Sequence, residues 1–385
     1  MKILVTGADG FIGKNLVFRL IELDISVVTF TRKNSIQDLP DILEKVDFIV
    51  HLAGENRPSD DKDFDFINVG LTMSISEAVR HIGRKIPIIF TSSVQTKLAN
   101  ANAYGKSKLK AEVILKKLHS DMGNPVYIFR LPGVFGKWCK PNYNSVVATF
   151  CHNISHSLPI QVNDSSLDLK LVYVDDVIKE FVSIVQGEKA NNKELSIQPE
   201  YKITLGELAN QIKSFRESRN SLISERVGGG LIRKLYSTYV SYFSPEHFSY
   251  SLVNFNDERG MFAEVLKTKD SGQFSFFTAE KGVTRGGHYH HSKTEKFLVI
   301  SGEAKFRFRN IITNEVCEIF TSEKKLEVIE TVPGWSHNIV NIGKEKMVVM
   351  LWANEIFDQN NSDTIPYKVC LLYTSDAADD LLCVD

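Results

Sequence analysis

Cysteine is scarce and scattered. Cys139, Cys151, Cys317, Cys370 and Cys383 never form a C-x-x-C pair, which argues against a disulfide framework or a thiolate metal site and for reduced thiols. Net charge is nearly absent: 46 Lys and Arg against 47 Asp and Glu leave −1. No global pull toward nucleic acid or membrane follows, so an anionic ligand would have to be held by local basic groups. Long apolar runs are missing as well, since none reaches the roughly 18 residues a membrane span needs. The first residues, MKILVTG, start directly on a strand pattern and leave no room for a signal peptide. The expectation is a cytoplasmic protein with no membrane insertion and no nucleic-acid partner. What is present in quantity is ordinary globular material, 43% hydrophobic and 24% charged over 385 residues, enough for two domains.

Lys2 to Thr6 is a short β-rich run, followed by TGADGFIG with Gly7, Gly10 and Gly13, and then by a helical pattern in Leu16, Val17, Leu20 and Ile21. Strand, glycine turn and helix in this order set bare backbone N–H groups and a helix N-terminus against a pyrophosphate, so Gly7, Gly10, Phe11, Ile12 and Gly13 are expected to bind a dinucleotide. The next strand, Val27 to Phe30, ends in Thr-Arg-Lys-Asn rather than in an acidic residue. Arg32 suits a 2′-phosphate better than a free 2′-hydroxyl, which favours NADPH over NADH. Strand patterns recur at Phe48 to Gly54, Ile86 to Ser93 and Tyr127 to Leu131, with helical patterns from Gly70 to Arg80 and Ser107 to Leu118 between them. This alternation predicts an α/β, doubly wound, Rossmann-type parallel sheet with its cofactor at the strand C-termini.

Tyr104-Gly-Lys-Ser-Lys108 places a phenol and an ammonium at i and i+4 on one helix face. The ammonium is expected to lower the phenol's pKa, letting Tyr104 exchange a proton with a carbonyl oxygen. Ser93, or Ser92 beside it, ends the preceding strand and can hydrogen-bond the same oxygen.

The stretch GVTRGGHYHHSKTEKFLVISG, Gly282 to Gly302, carries His288, His290 and Glu295 at H-x-H-x₄-E spacing between two glycines. In a strand His288 and His290 face one way. A hairpin turn through Ser292, Lys293 and Thr294 is expected to return Glu295 beside them. His337, in VPGWSHNIV, supplies a fourth ligand from a later strand. Three imidazoles and a carboxylate suit zinc, and iron, manganese or nickel accept the same set.

These residues resemble two families. His51-Leu-Ala-Gly54, Asn68, Tyr104 and Lys108, Arg130-Leu-Pro-Gly-Val-Phe-Gly136 and Leu171 to Val177 are similar to elements of the extended short-chain dehydrogenases/reductases, over roughly residues 1 to 240. The resemblance implies catalytic Ser93, Tyr104 and Lys108, and cofactor contacts at Leu52, Ala53, Gly54, Tyr104 and Lys108. It also sets Lys137 to Tyr143 beside a sugar nucleotide. The Gly282 to Gly302 stretch resembles the first cupin motif, and Pro333, His337 and Asn341 the second, one residue short. Asn256 to Glu264 and Lys281 to Tyr289 are similar to the sugar-nucleotide epimerase branch of the cupins, which implies His288 as catalytic base and Lys296 as its companion. His288 is thus open to two roles, ligand and base.

A helical pattern starts at Thr204, Gly228-Gly-Gly230 breaks it, and the aromatic-rich Leu231 to Phe243 reads as a helix packed on the first domain. Beyond Pro245, strand patterns at Glu303–Arg309, Glu315–Phe320, Leu326–Thr331 and Met347–Trp352 predict an all-β jelly-roll barrel. The expected division is 1–245, 246–369 and a non-native extension, 370–385. A reductase fused to an epimerase-like cupin resembles the CapF-type family of bifunctional capsular polysaccharide enzymes. That resemblance implies a UDP-activated amino-deoxy-ketosugar substrate, C3 epimerisation followed by NADPH-dependent C4 reduction, and a homodimer. The alternative is a ketosugar reductase whose cupin only binds sugar or mediates dimerisation.

Overall fold

Short runs of apolar and β-branched residues build a five-stranded parallel sheet: β1 (Lys2–Thr6), β2 (Ser26–Phe30), β3 (Phe48–His51), β4 (Ile88–Ser93) and β5 (Val126–Leu131), in the order β2-β1-β3-β4-β5. The computed structural model of the chain describes residues 1–58, 60, 62–97, 102–188, 195–360 and 362–369. Both faces of the sheet are covered, so its strands read as continuous apolar runs. Ile3 and Val5 enter one core with helices Phe11–Glu22 and Val174–Val185. Leu4 enters the other with helices Gly70–Ile82 and Ala103–Met122. Each such buried side chain contributes about 1.5–3 kcal/mol. The strand order reverses between β1 and β3, which opens a crevice at their C-terminal ends. A small sheet follows, with β6 (Gly133–Phe135) parallel to β7 (Asp168–Tyr173) and β7 antiparallel to β8 (Tyr201–Thr204). The aromatic-rich stretch forms helix Gly230–Val240, which buries Leu235, Thr238 and Tyr239.

The chain divides into two units, Met1–Lys213 with Val227–Pro245, and Ser214–Arg226 with Glu246 onward. The excursion of Ser214–Arg226 had no mark in the sequence. It carries β9 (Ile223–Ser224), which pairs in parallel with a strand of the second unit.

That unit has two facing antiparallel sheets. One orders β10 (Asn254–Asp257), β11 (Gly260–Thr268), β12 (Gly272–Ala279), β19 (Met347–Ala353), β14 (Glu295–Ser301) and β17 (Ile329–Glu330), with β9 against β11. The other orders β16 (Val316–Ser322), β15 (Glu303–Asn310), β18 (Trp335–Asn341), β13 (Thr284–Tyr289) and β20 (Ile365–Pro366). Phe277, Phe297, Phe306, Phe308, Ile339 and Val349 fill the space between them. The expected strand Leu326–Thr331 shrinks to Ile329–Glu330, and Leu326 is 76% exposed. Cys139 and Cys151 are buried free thiols and Cys317 an exposed one. Cys370, Cys383 and the rest of the expected extension lie outside the described residues. Among the described residues no helix is long and apolar enough to cross a membrane.

Candidate functional site

In the first unit the glycine turn is backbone packed on backbone. Gly7 has φ +68, and a Cβ on it would stand 2.7 Å from Ala53 N, while one on Gly13 would lie 2.2 Å from Gly7 O. Gly10, the N-cap of helix Phe11–Glu22, brings no side chain to its first N–H groups. This is a fit for a pyrophosphate at the switch point. Phe11, Ile12 and Leu52 pack on the core, so what they offer a cofactor is backbone.

Arg32 is 87% exposed at the end of β2, with one nitrogen 2.7 Å from Glu55 Oε2. Most of its guanidinium fork stays open for a phosphate. Glu55 went unremarked in the sequence, although its place directly after His51-Leu-Ala-Gly54 puts it at a strand end. It accepts from Tyr143 Oη at 2.8 Å and from the backbone N–H groups of Asn56 and Arg57. Burial alone would raise its pKa, but Tyr143, those two N–H groups and Arg32 hold it below the usual range.

The two serines differ in their surroundings. Ser92 donates to Glu112 Oε1 at 2.6 Å, and Arg130 grips the same carboxylate at 2.9 and 2.7 Å. Ser92 is therefore structural, and Ser93, outside that cluster and accepting from Gln95 N at 3.2 Å, is the free candidate at the end of β4. Tyr104 and Lys108 lie on helix Ala103–Met122, whose N-cap Asn102 accepts from Gly105 N at 2.8 Å. A Cβ on Gly54 would meet Lys108 Nζ at 3.1 Å, so the amine reaches the end of β3. Asn68 ties that strand end to the helix, bonding Glu55 N, Glu55 O and Ser107 Oγ. His51, between Thr6 and Thr72, is a satisfied core residue kept neutral by burial.

The expected depression of the Tyr104 pKa does not occur. Burial pushes the phenol up to about 12, and burial also pushes Lys108 down to about 8, against the opposing pull of Glu112. Desolvation is the dominant influence on both groups.

In the second unit His288, His290, Glu295 and His337 converge, with one ligand atom from each lying within 4.8 Å of all the others. Glu295 Oε2 stands 3.1 Å from His290 Nε2 and 3.3 Å from His337 Nε2. The hairpin expectation was wrong in connection but right in outcome. β13 pairs with β18 and β20 whereas β14 pairs with β19 and β17, so the turn passes from one sheet to the other. A bulge at Gly286 and Gly287, both with positive φ, shifts the register just before His288.

The donor chemistry fits a cation. His290 Nδ1 must donate to the Asp363 carbonyl at 2.5 Å, which leaves the Nε2 lone pair facing a carboxylate. His337 Nε2 is buried with no hydrogen-bond partner. Glu295 would be pushed up by burial, but His290, His337 and Lys293 hold it well below the usual carboxylate range. Burial and the neighbouring His337 push His288 down to about 4, so its imidazole is neutral at physiological pH.

Lys296 does not join this cluster. It follows Glu295 on β14 and so points to the opposite face, where its ammonium pairs with exposed Glu330. Lys293 is the lysine in the site, 7% exposed with Nζ 3.3 Å from Glu295 Oε1. Its turn position gave no signal in a reading based on strand alternation.

Sheet order and the tyrosine–lysine helix place the first unit among the extended short-chain dehydrogenases/reductases, and the second is a cupin-type jelly roll. Residues 3–197 match the NAD dependent epimerase/dehydratase family and residues 255–365 the polysaccharide biosynthesis C-terminal domain. The chain is 56% identical over 370 residues, 96% of it and 99% of the relative, to UDP-2-acetamido-2,6-beta-L-arabino-hexul-4-ose reductase of Pseudomonas aeruginosa. The capsular polysaccharide assembling protein CapF of Staphylococcus aureus superposes with a TM-score of 0.89 at 42% identity, covering 96% of this chain and all of that one. A CapF structure with the inhibitor 3-isopropenyl-tropolone superposes at 0.83, with 38% identity and the same coverage. The chain belongs to the NAD dependent epimerase/dehydratase family in its CapF-type form, fused to a polysaccharide biosynthesis C-terminal domain, and takes a nicotinamide cofactor.

Proposed function

We propose that the chain is a bifunctional UDP-sugar enzyme. Its cupin unit inverts C3 of a UDP-2-acetamido-2,6-dideoxy-4-hexulose, and its first unit then reduces C4 with NADPH to a UDP-N-acetyl-6-deoxytalose, on the path to UDP-N-acetyl-L-fucosamine for capsule or O-antigen. The observation that carries the reading is a three-histidine, one-carboxylate cluster, buried but for half-buried His288, in the same chain as Ser93 at the end of β4 and Tyr104 and Lys108 on one helix. The name of the P. aeruginosa relative supports the reductase half and the ketosugar class.

In the reduction, the nicotinamide supplies hydride to C4. Ser93 hydrogen-bonds the C4 oxygen, and Tyr104 gives that oxygen its proton. A phenol at about 12 starts protonated at neutral pH, as a donor must. Proton transfer of this kind is worth about 10²–10⁴ in rate. Lys108, charged at neutral pH, balances the phenolate that remains. Arg32, beside the adenosine end of the groove, supports NADPH as the cofactor.

In the epimerisation, His290, Glu295 and His337 would hold a divalent ion, zinc by its donor set, that would supply Lewis acidity toward the ketone, with His288 either a fourth ligand or the base that takes the C3 proton while solvent returns one to the opposite face. Lys293 engages Glu295 Oε1 and leaves Oε2 for the ion. Its ammonium also adds positive charge where the enolate oxygen forms.

The test is turnover of the 4-ketosugar with NADPH in deuterium oxide, followed by NMR. The expected product carries deuterium at C3 and inverted C3 stereochemistry. A reduced product with protium and retained configuration at C3 would leave a simple reductase with a binding or dimerisation cupin.

A further inference from the structure

We infer that Asp363 is a positioning residue of the metal centre, its backbone fixing the His290 ring and its carboxylate locking the turn that carries Lys293 between the two ligand strands. The inference rests on the metal reading above and deepens it.

The segment 362–369 lies far in sequence from the ligands, yet it touches the surroundings of three of them. β20 pairs with the end of β13, Pro366 opposite His288 and Ile365 opposite Tyr289. Tyr367 N donates to Gly287 O at 2.9 Å, and Ser336 Oγ, next to His337, donates to Tyr367 O at 2.5 Å. Asp363 does most. Its carbonyl takes His290 Nδ1–H at 2.5 Å, and its carboxylate accepts from His291 N at 2.9 Å, Ser292 N at 2.6 Å, Lys293 N at 2.8 Å and Ser292 Oγ at 2.9 Å.

Successive backbone N–H groups closing on one carboxylate make an anion nest with charge-assisted bonds. The nest sits where the chain leaves one sheet for the other. Whatever fixes this turn fixes the distance from His290 on one side to Glu295 on the other, and brings the Lys293 amine to Glu295. The carbonyl bond also selects the His290 tautomer that presents Nε2 to the ion. Outer partners of ligating histidines act in this way, and their loss typically lowers metal affinity about 10–100-fold.

Asp363→Asn removes the charge and turns an NH₂ group toward N–H donors, so it should open the nest. The full-length protein, stripped with a chelator, is titrated with Zn²⁺ against a chromophoric competitor. A parallel Co²⁺ titration follows the visible absorption of the bound ion. The variant should bind Zn²⁺ about 10–100-fold more weakly with an altered Co²⁺ spectrum, while the melting temperature of metal-free protein stays near that of the parent. Parental affinity and spectrum overturn the inference, and so does a lowered metal-free melting temperature with both unchanged, since that marks a purely structural turn. If Asp363→Asn does not fold, Ser292→Ala decides, because it deletes one nest bond and should weaken Zn²⁺ measurably; parental affinity there also overturns it. A parent protein that binds neither ion refutes the metal reading itself, a result distinct from either variant's.

Discussion

Lys108 holds its charge where burial opposes it. The amine is 4% exposed and its pKa falls to about 8 from 10.5. Because the folded pKa lies below the unfolded one, the charged lysine destabilises the fold at neutral pH, where both states carry the proton; between about pH 8 and 10.5 only the unfolded chain keeps it, and the penalty disappears across that window. Lys108→Met should therefore be inactive yet more stable at pH 7, by on the order of 2 kcal/mol. Denaturant unfolding of parent and variant at several pH values should show the gap closing by pH 10. In the parent, NADPH oxidation should fall as pH climbs through about 8, since the phenolate of Tyr104 then loses its counter-charge. Arg32→Ala should raise KM for NADPH far more than for NADH, because on the proposed reading the part of its fork not paired with Glu55 takes the 2′-phosphate; equal effects on the two cofactors would remove Arg32 as the reader. Residue type and strand parity were enough to find the four side chains that converge, His288, His290, Glu295 and His337. They missed Lys293, where a turn and not a strand sets the direction of the side chain, while Lys296, expected from the family resemblance, falls on the opposite face of β14 by strand alternation itself.

At the scale of elements, one carboxylate clamps the catalytic helix to the sheet. Glu112, fully buried on helix Ala103–Met122, receives Ser92 from β4 and both guanidinium branches of Arg130 from β5. Burial would raise its pKa, but Arg130, Ser92 and Lys116 hold it below the ordinary value. Glu112→Ala would remove the buried carboxylate that Ser92 and Arg130 share, and should destabilise the first unit by about 3–5 kcal/mol. Calorimetry on the full chain should show one transition lowered and the cupin transition unmoved. A loss below 1 kcal/mol would mean that solvent already screens the cluster. The helix itself was legible from its i, i+4 chemistry and apolar spacing. The clamp was not, because a mid-helix Glu and a strand Arg, 18 residues apart, carry no periodic mark. The same limit hid the crossing of the Ser292 turn between sheets, since alternation predicts which face a residue takes and not which strand pairs with it.

For the molecule as a whole, the order of the two reactions follows from carbon acidity. A C3–H can be removed only while C4 is a carbonyl, because only then does the carbanion delocalise as an enolate; once C4 is an alcohol, that proton is beyond any side-chain base. In the proposed two-step reaction epimerisation must therefore precede reduction, and the two sites should be separable by mutation. Tyr104→Phe should stop NADPH oxidation, with a loss of about 10²–10⁴, while C3 of the ketosugar continues to exchange with deuterium oxide. His290→Ala, or removal of metal, should abolish that exchange and leave the first unit to reduce the unepimerised ketone slowly, giving the C3-inverted counterpart of the normal product. NMR of both reaction mixtures reads exchange and stereochemistry together. If C3 exchange persists in the metal-free His290→Ala protein but vanishes in Tyr104→Phe, proton abstraction belongs to the reductase crevice and the cupin has no part in the chemistry.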